Sequence, residues 1–139
     1  MLWTGIRLGS ALALTAKDVD PDAAVIAIRG KGCLRATLPI SERVVELLAE
    51  WVQDAGPVFA ARSGGTLSPR QAQFRLASWC RRAGIRRVSP HALRHSFAQG
   101  LLRRTGNLAV VQRALCHRSV TSTVVYAGAD DGAVRAVLG

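Results

Sequence analysis

The apolar positions of this 139-residue chain fall into short blocks whose spacing changes from helical to alternating and back again. Trp3-Thr4-Gly5-Ile6-Arg7 reads as a turn into a short helix, Leu8 to about Leu14, with Leu8 and Leu12 one turn apart. Val19-Asp20-Pro21-Asp22 is a turn signal. Ala24-Val25-Ile26-Ala27-Ile28-Arg29 has the branched composition of a strand. Gly30-Lys31-Gly32 then reverses the chain into a second strand, Leu34 to Leu38, which Pro39 ends. Ser41-Glu42-Arg43 caps a helix with Val44, Leu47, Leu48 and Trp51 as its apolar stripe, and Gly56-Pro57 stops it.

The second half of the chain is predominantly helical in pattern. Val58-Phe59 is a short extended piece and Ser63-Gly64-Gly65 a loop. Ser68-Pro69 starts a helix that reaches about Arg82, with Phe74, Leu76 and Trp79 as expected core residues, and Gly84 ends it. Ser89 as N-cap and Pro90 as first helical residue open the next helix. At about 100° per residue its core stripe is Leu93, Phe97 and Leu101, with His91, Arg94 and Ala98 on the adjacent stripe. Gly106-Asn107 separates it from a shorter helix, Leu108 to Leu115, with Val110, Val111 and Leu115 expected inward. The pattern leaves Ser119 to Tyr126 open between strand and short helix, and predicts a final helix from Ala133 to Leu138.

Composition adds a size and a compartment. The length suits one domain with a real core, and 49% hydrophobic residues argue against disorder. There is no apolar run near the length of a membrane span, and Met1-Leu2-Trp3 leads in without a basic region or cleavage site, so neither a transmembrane helix nor secretion is expected. Cys33, Cys80 and Cys116 are odd in number and scattered, the usage of reduced thiols in the cytosol. No internal repeat, low-complexity tract or interdomain linker is visible.

Charge says more. A formal net charge of +10 makes a polyanion the natural partner. All basic residues except Lys17 and Lys31 are arginine, which a GC-rich genome would also produce. The distribution is more telling: no acidic residue lies between Asp54 and Asp130, while twelve arginines do, from Arg62 to Arg118. A solvated face normally mixes signs. An unbalanced basic block is the footprint of a nucleic-acid surface.

Three chemistries fit the polar residues around it. His91 and His95, one helical turn apart, could bind zinc with Cys116 or His117. No carboxylate lies in that region and arginines adjoin the candidates, so charge repulsion argues against a metal. A helical DNA-binding module with structural histidines is the second. The third is attack on a phosphodiester by Tyr126, the chain's one tyrosine, with basic residues stabilising the charge that builds on the phosphate. Taken singly, these residues do not choose between the last two.

Taken together, five segments resemble the tyrosine recombinase (phage integrase) family. They are Thr4-Gly5-Ile6-Arg7; Gly30-Lys31-Gly32; His91-Ala92-Leu93-Arg94-His95-Ser96-Phe97-Ala98; Val111-Gln112-Arg113-Ala114-Leu115-Cys116-His117-Arg118-Ser119; and Thr123-Val124-Val125-Tyr126. Their spacings fit its bacterial members: 24 residues from Arg7 to Lys31, 26 from His91 to His117 and 9 from His117 to Tyr126. The resemblance spans nearly the whole chain and six functional positions in order. The type IB topoisomerases share the tyrosine chemistry but resemble the chain less at His91.

The resemblance implies an α+β fold, mainly α, with a small antiparallel β-sheet near the N-terminus. It implies that residues 1–139 are the catalytic domain, without the N-terminal core-binding domain that relatives carry. Arg7 and Arg94 would clamp the non-bridging oxygens of the scissile phosphate. Lys31 would protonate the leaving 5′-oxygen, His91 would assist proton transfer, His117 would hydrogen-bond the phosphate, and Tyr126 would attack. His95 would be structural. Neither metal nor cofactor would be needed. Double-stranded DNA and further recombinase subunits, a tetramer on paired sites, would be the partners. The setting would be the bacterial cytoplasm at the nucleoid, or a phage or mobile element. Ser10 stands where the family has an acidic residue, which leaves Arg7 with less to orient it, and Cys116 stands where the family has glycine. Val134 to Leu138 could form the helix that relatives dock on a neighbouring subunit.

Overall fold

The computed structural model describes residues 1–29, 35–50, 52 and 56–115. Its elements in order are α1 (Leu8–Leu12), a single 3-10 turn (Ala16–Asp18), β1 (Val19–Asp20), β2 (Val25–Arg29) and β3 (Arg35–Pro39). Then come α2 (Glu42–Ala49), α3 (Pro69–Arg82), α4 (Pro90–Thr105) and α5 (Leu108–Ala114). The architecture is α+β and mainly helical, with an antiparallel sheet in the order β1-β2-β3. The chain forms two compact units, Met1–Phe97 and Ala98–Gly139.

In the first unit the sheet register follows the period-2 pattern. Ile26 pairs with Leu38 and Ile28 with Ala36. Ile26, Ile28 and Leu38 are buried, whereas Thr37 and Pro39 are exposed. A one-residue slip would turn these apolar side chains outward, and each is worth about 1.5–3 kcal/mol when buried, so the register is firmly held. Pro39 does not end the strand but completes it opposite Val25, which an edge strand tolerates because proline lacks only a donor. The turn expected at 19–22 starts later. Val19 and Asp20 pair with Ile26 and Val25, and the Asp20 carboxylate accepts the Ala23 N–H at 2.9 Å, so the aspartate closes the strand and the reversal follows it. Ala24 ends that reversal at φ 50°.

Helix α1 packs against both α3 and β2 and buries Ala11 and Leu12. Beyond it, Val58 N–H donates to the Leu14 carbonyl at 2.9 Å and Ala16 N–H to that of Gly56 at 3.0 Å. These bonds fasten the segment after α2 to the end of α1. A small hairpin follows: Ala60 bridges Thr66, and Gly64 and Gly65, at φ 86° and 70°, turn it. Ser41 occupies the N-cap of α2, although its side chain makes no capping bond. Trp51 lies outside the described residues.

Helix α3 has both ends closed by its sequence. The Ser68 hydroxyl accepts the Gln71 N–H at 3.2 Å and the Gln71 amide accepts the Ser68 N–H at 2.9 Å, a reciprocal cap with Pro69 in the first turn. At the other end Ile85 N–H reaches the Cys80 carbonyl at 3.0 Å and Gly84 N–H that of Arg81 at 3.2 Å. This closure needs a left-handed residue, and Gly84 supplies it at φ 66°. The expected core of α3 is corrected. Phe74 is 74% exposed and Trp79 56%, while Cys80 is buried and Leu76 partly so. Apolar identity alone points the two aromatics inward, but the burial falls on Cys80 and, in part, on Leu76.

Helix α4 starts as expected, with the Ser89 hydroxyl accepting the Ala92 N–H at 3.1 Å. Its stripes are shifted. Arg94 and Ala98 are the buried positions, and Leu93, Phe97 and Leu101 are half-buried. In the second unit Asn107 caps α5 through the N–H of Ala109, at 2.9 Å. There Val111 and Leu115 are buried, but Val110, expected inward, is 40% exposed.

Candidate active site

Arg94 is the polar residue around which the first unit closes. It is 5% exposed, and its Nη1 donates to the Gly5 carbonyl across 89 positions of sequence. A guanidinium keeps its charge at any working pH, so burying one requires acceptors fixed in place. The Gly5 carbonyl is one. Its own position is set by a tight turn: Gly5 adopts φ 61°, its N–H donates to the Met1 carbonyl at 2.9 Å, and Thr4 and Ile6 on either side are buried. Sequence reading gave Thr4 and Gly5 no role of their own. A glycine two residues before a functional arginine was the signal available.

Two residues beyond that carbonyl, Arg7 is the N-cap of α1 at φ −70° and ψ 148°. Its side chain is exposed and makes no capping bond. The structure therefore brings the segment carrying Arg7 onto α4, from opposite ends of the sequence. One guanidinium is buried and fixed. The other is free to meet an incoming group.

His91 lies one turn before Arg94 on α4 and is exposed, while His95 is half-buried. Ser10, on α1 one turn beyond Arg7, is half-buried. Lys31, Cys116, His117 and Tyr126 lie outside the described residues, as do the segment 119–126 and the helix expected over 133–138. Of the expected site residues, the described part of the chain thus holds Arg7, His91 and Arg94. Among the described residues no three His, Cys, Asp or Glu side chains gather as metal ligands would. Nor, among them, is any helix long and apolar enough to cross a membrane.

What can this arrangement do? A buried guanidinium presents fork-like donors that match two oxygens of a phosphate, and a second guanidinium can close on it from outside. Arg62, Arg70, Arg81, Arg82, Arg86 and Arg87 are all exposed in the same unit.

Known proteins carry the same pattern. The model of the phage integrase family matches residues 1–132. Tyrosine recombinase XerC of Xylella fastidiosa (strain 9a5c) is 37% identical over 133 residues, which cover 91% of this chain and 45% of that protein. The crystal structure of XerA recombinase superposes with a TM-score of 0.83 at 27% identity, over 98% of this chain and 53% of that one. XerH site-specific recombinase, solved bound to its difH substrate in a pre-cleavage complex, gives a TM-score of 0.81 at 28% identity over 99% of this chain and 44% of that one. The chain spans about half the length of the curated relatives it matches.

Proposed function

Because the chain belongs to the phage integrase family, we propose that it is the catalytic domain of a site-specific recombinase that cuts and rejoins DNA through a 3′-phosphotyrosine intermediate. The observation that carries this reading is the buried Arg94 tied to the Gly5 carbonyl, because that contact sets two guanidinium-bearing segments side by side. Arg7 and Arg94 hold the non-bridging oxygens of the scissile phosphate and neutralise the charge that grows on them as the phosphorus gains a fifth ligand. The Tyr126 oxygen forms the new bond to phosphorus and the bond to the 5′-oxygen breaks. A phenol of pKa about 10 is a weak nucleophile at neutral pH. His91 takes its proton, Lys31 gives one to the departing 5′-oxygen, and His117 hydrogen-bonds the phosphate. The reverse sequence, with a 5′-hydroxyl from another strand, rejoins the DNA. Since guanidiniums supply the positive charge, this scheme assigns no step to a metal or nucleotide.

The partners of this reading are double-stranded DNA and further copies of the recombinase, four on a pair of sites. Its setting is the bacterial cytoplasm at the nucleoid, or a phage or mobile element that acts there. A nicked suicide duplex, built on a site recovered by affinity selection with the chain, tests it. The expected result is a covalent protein–DNA adduct that Tyr126→Phe abolishes. Salt-sensitive binding with no adduct from the wild-type chain would instead make it a relative that holds DNA without cutting it.

A further inference from the structure

In the turn before α1 the Ile6 N–H donates to the Thr4 hydroxyl oxygen at 3.4 Å, away from solvent, and Thr4 is 7% exposed. A threonine that accepts the N–H two residues ahead is by itself an ordinary turn. What lies at the other end of the same peptide is not ordinary. The Ile6 N–H and the Gly5 carbonyl belong to one planar unit and point opposite ways. That carbonyl is the acceptor of the Arg94 guanidinium. Whatever sets the direction of the N–H therefore sets the direction of the C=O.

Left to itself this peptide would be poorly fixed. Gly5 holds φ 61°, a conformation glycine reaches freely, and the same freedom lets the peptide that follows it rotate at little cost. The Gly5 N–H is tied to the Met1 carbonyl at 2.9 Å, which secures the peptide before the glycine but not the one after it. The Thr4 oxygen secures that one. The bond is long, but branching at Cβ restricts the threonine's rotation and keeps the oxygen in place. A bond at one end of a peptide also strengthens the bond at the other. Rotation of the carbonyl would take a fixed acceptor from a guanidinium that is only 5% exposed and tilt its fork of donors. We infer that Thr4 is a positioning residue: through the Gly5–Ile6 peptide its hydroxyl aims the carbonyl that orients Arg94. This rests on the recombinase function proposed above and adds to it what aligns the buried arm of the phosphate clamp.

Thr4→Val puts a methyl group where the oxygen was, and Thr4→Ser keeps the oxygen. On the nicked suicide duplex Thr4→Val should form adduct about 10-fold more slowly at unchanged duplex affinity, short of the roughly 100-fold that a misplacement of about 1 Å can cost. Thr4→Ser should recover most of that rate. Combined with Arg7→Lys, Thr4→Val should keep its cost. Combined with Arg94→Lys it should add nothing, because it acts through that guanidinium. Equal costs in the two combinations, or a serine variant as slow as the valine one, would overturn the inference. Amide exchange of the Arg94→Lys chain gives a reading that needs neither DNA nor a folded Thr4 variant. With the far end of its peptide released, the Ile6 N–H should exchange faster than in the wild type, relative to the amides of β2. An Ile6 amide indifferent to Arg94→Lys would likewise overturn the inference. No adduct from the wild-type chain, with the two ends of the peptide still linked in exchange, would remove the recombinase reading and with it Thr4's part in a reaction.

Discussion

A guanidinium at 5% exposure stays buried only where its donors are answered, and at Arg94 the structural and the proposed chemical parts coincide. The Gly5 carbonyl draws the N-terminal turn onto α4, and the same side chain would supply one arm of the phosphate clamp. Arg7, the other arm, is exposed and holds nothing in place. Their lysine variants should accordingly differ. Arg94→Lys loses both the contact and the fork, because an ammonium is a point charge. It should melt several degrees lower and form adduct about 100-fold more slowly, the usual cost of removing one transition-state donor. Arg7→Lys should lose a similar factor in adduct formation with its melting temperature unchanged. Thermal melts alongside adduct time courses check this. Cleavage near the wild-type rate in both variants would contradict the clamp.

Among the elements, those punctuated by strong local signals were legible from sequence to within a residue or two. Ser68-Pro69 and Gly84 delimit α3, Ser89-Pro90 opens α4, and Asn107 opens α5, because each satisfies end groups the helix itself leaves unpaired. Burial was less legible. Phe74, Trp79 and Val110 are apolar yet exposed, since the choice of inward face depends on what packs opposite, which one helix's own spacing does not contain. Arg94 shows the converse: its stripe beside the core made a partly desolvated arginine legible, but the acceptor that holds it lies 89 positions away. For the candidate site, the motif residues named Arg7, His91 and Arg94, but the turn through Thr4 and Gly5 that meets Arg94 is visible only in three dimensions. The β1–β2 turn yields a prediction of its own. Ala24 sits at φ 50°, where an L-residue is disfavoured by about 1–2 kcal/mol. Glycine removes that strain but gives the unfolded chain back about 0.4–1 kcal/mol of freedom. Ala24→Gly should therefore raise the melting temperature by roughly 2 °C, and a lower one would show that the strain is relieved in some other way.

On the scale of the whole molecule the charge is divided. Acidic residues cluster between Asp18 and Asp54, and an uninterrupted arginine block follows. Within the acidic part Arg43 pairs with Glu46 at 3.2 Å, both exposed, whereas the arginines of the block have no acid near them in sequence. DNA binding should weaken linearly in log–log terms as salt rises. Each block arginine that touches a phosphate should lower the slope by about 1 when removed, as expected for Arg62→Gln and Arg82→Gln in titrations at several salt concentrations. Arg43→Gln should leave the slope unchanged. A block of positive charge serves binding; only a covalent bond shows cutting. The most direct measurement is therefore peptide mass mapping of the chain after reaction with the nicked suicide duplex. The account predicts a nucleotide joined through its 3′-phosphate to the peptide that carries Tyr126. Attachment at another residue, or a chain recovered unmodified from a duplex it binds, would contradict it.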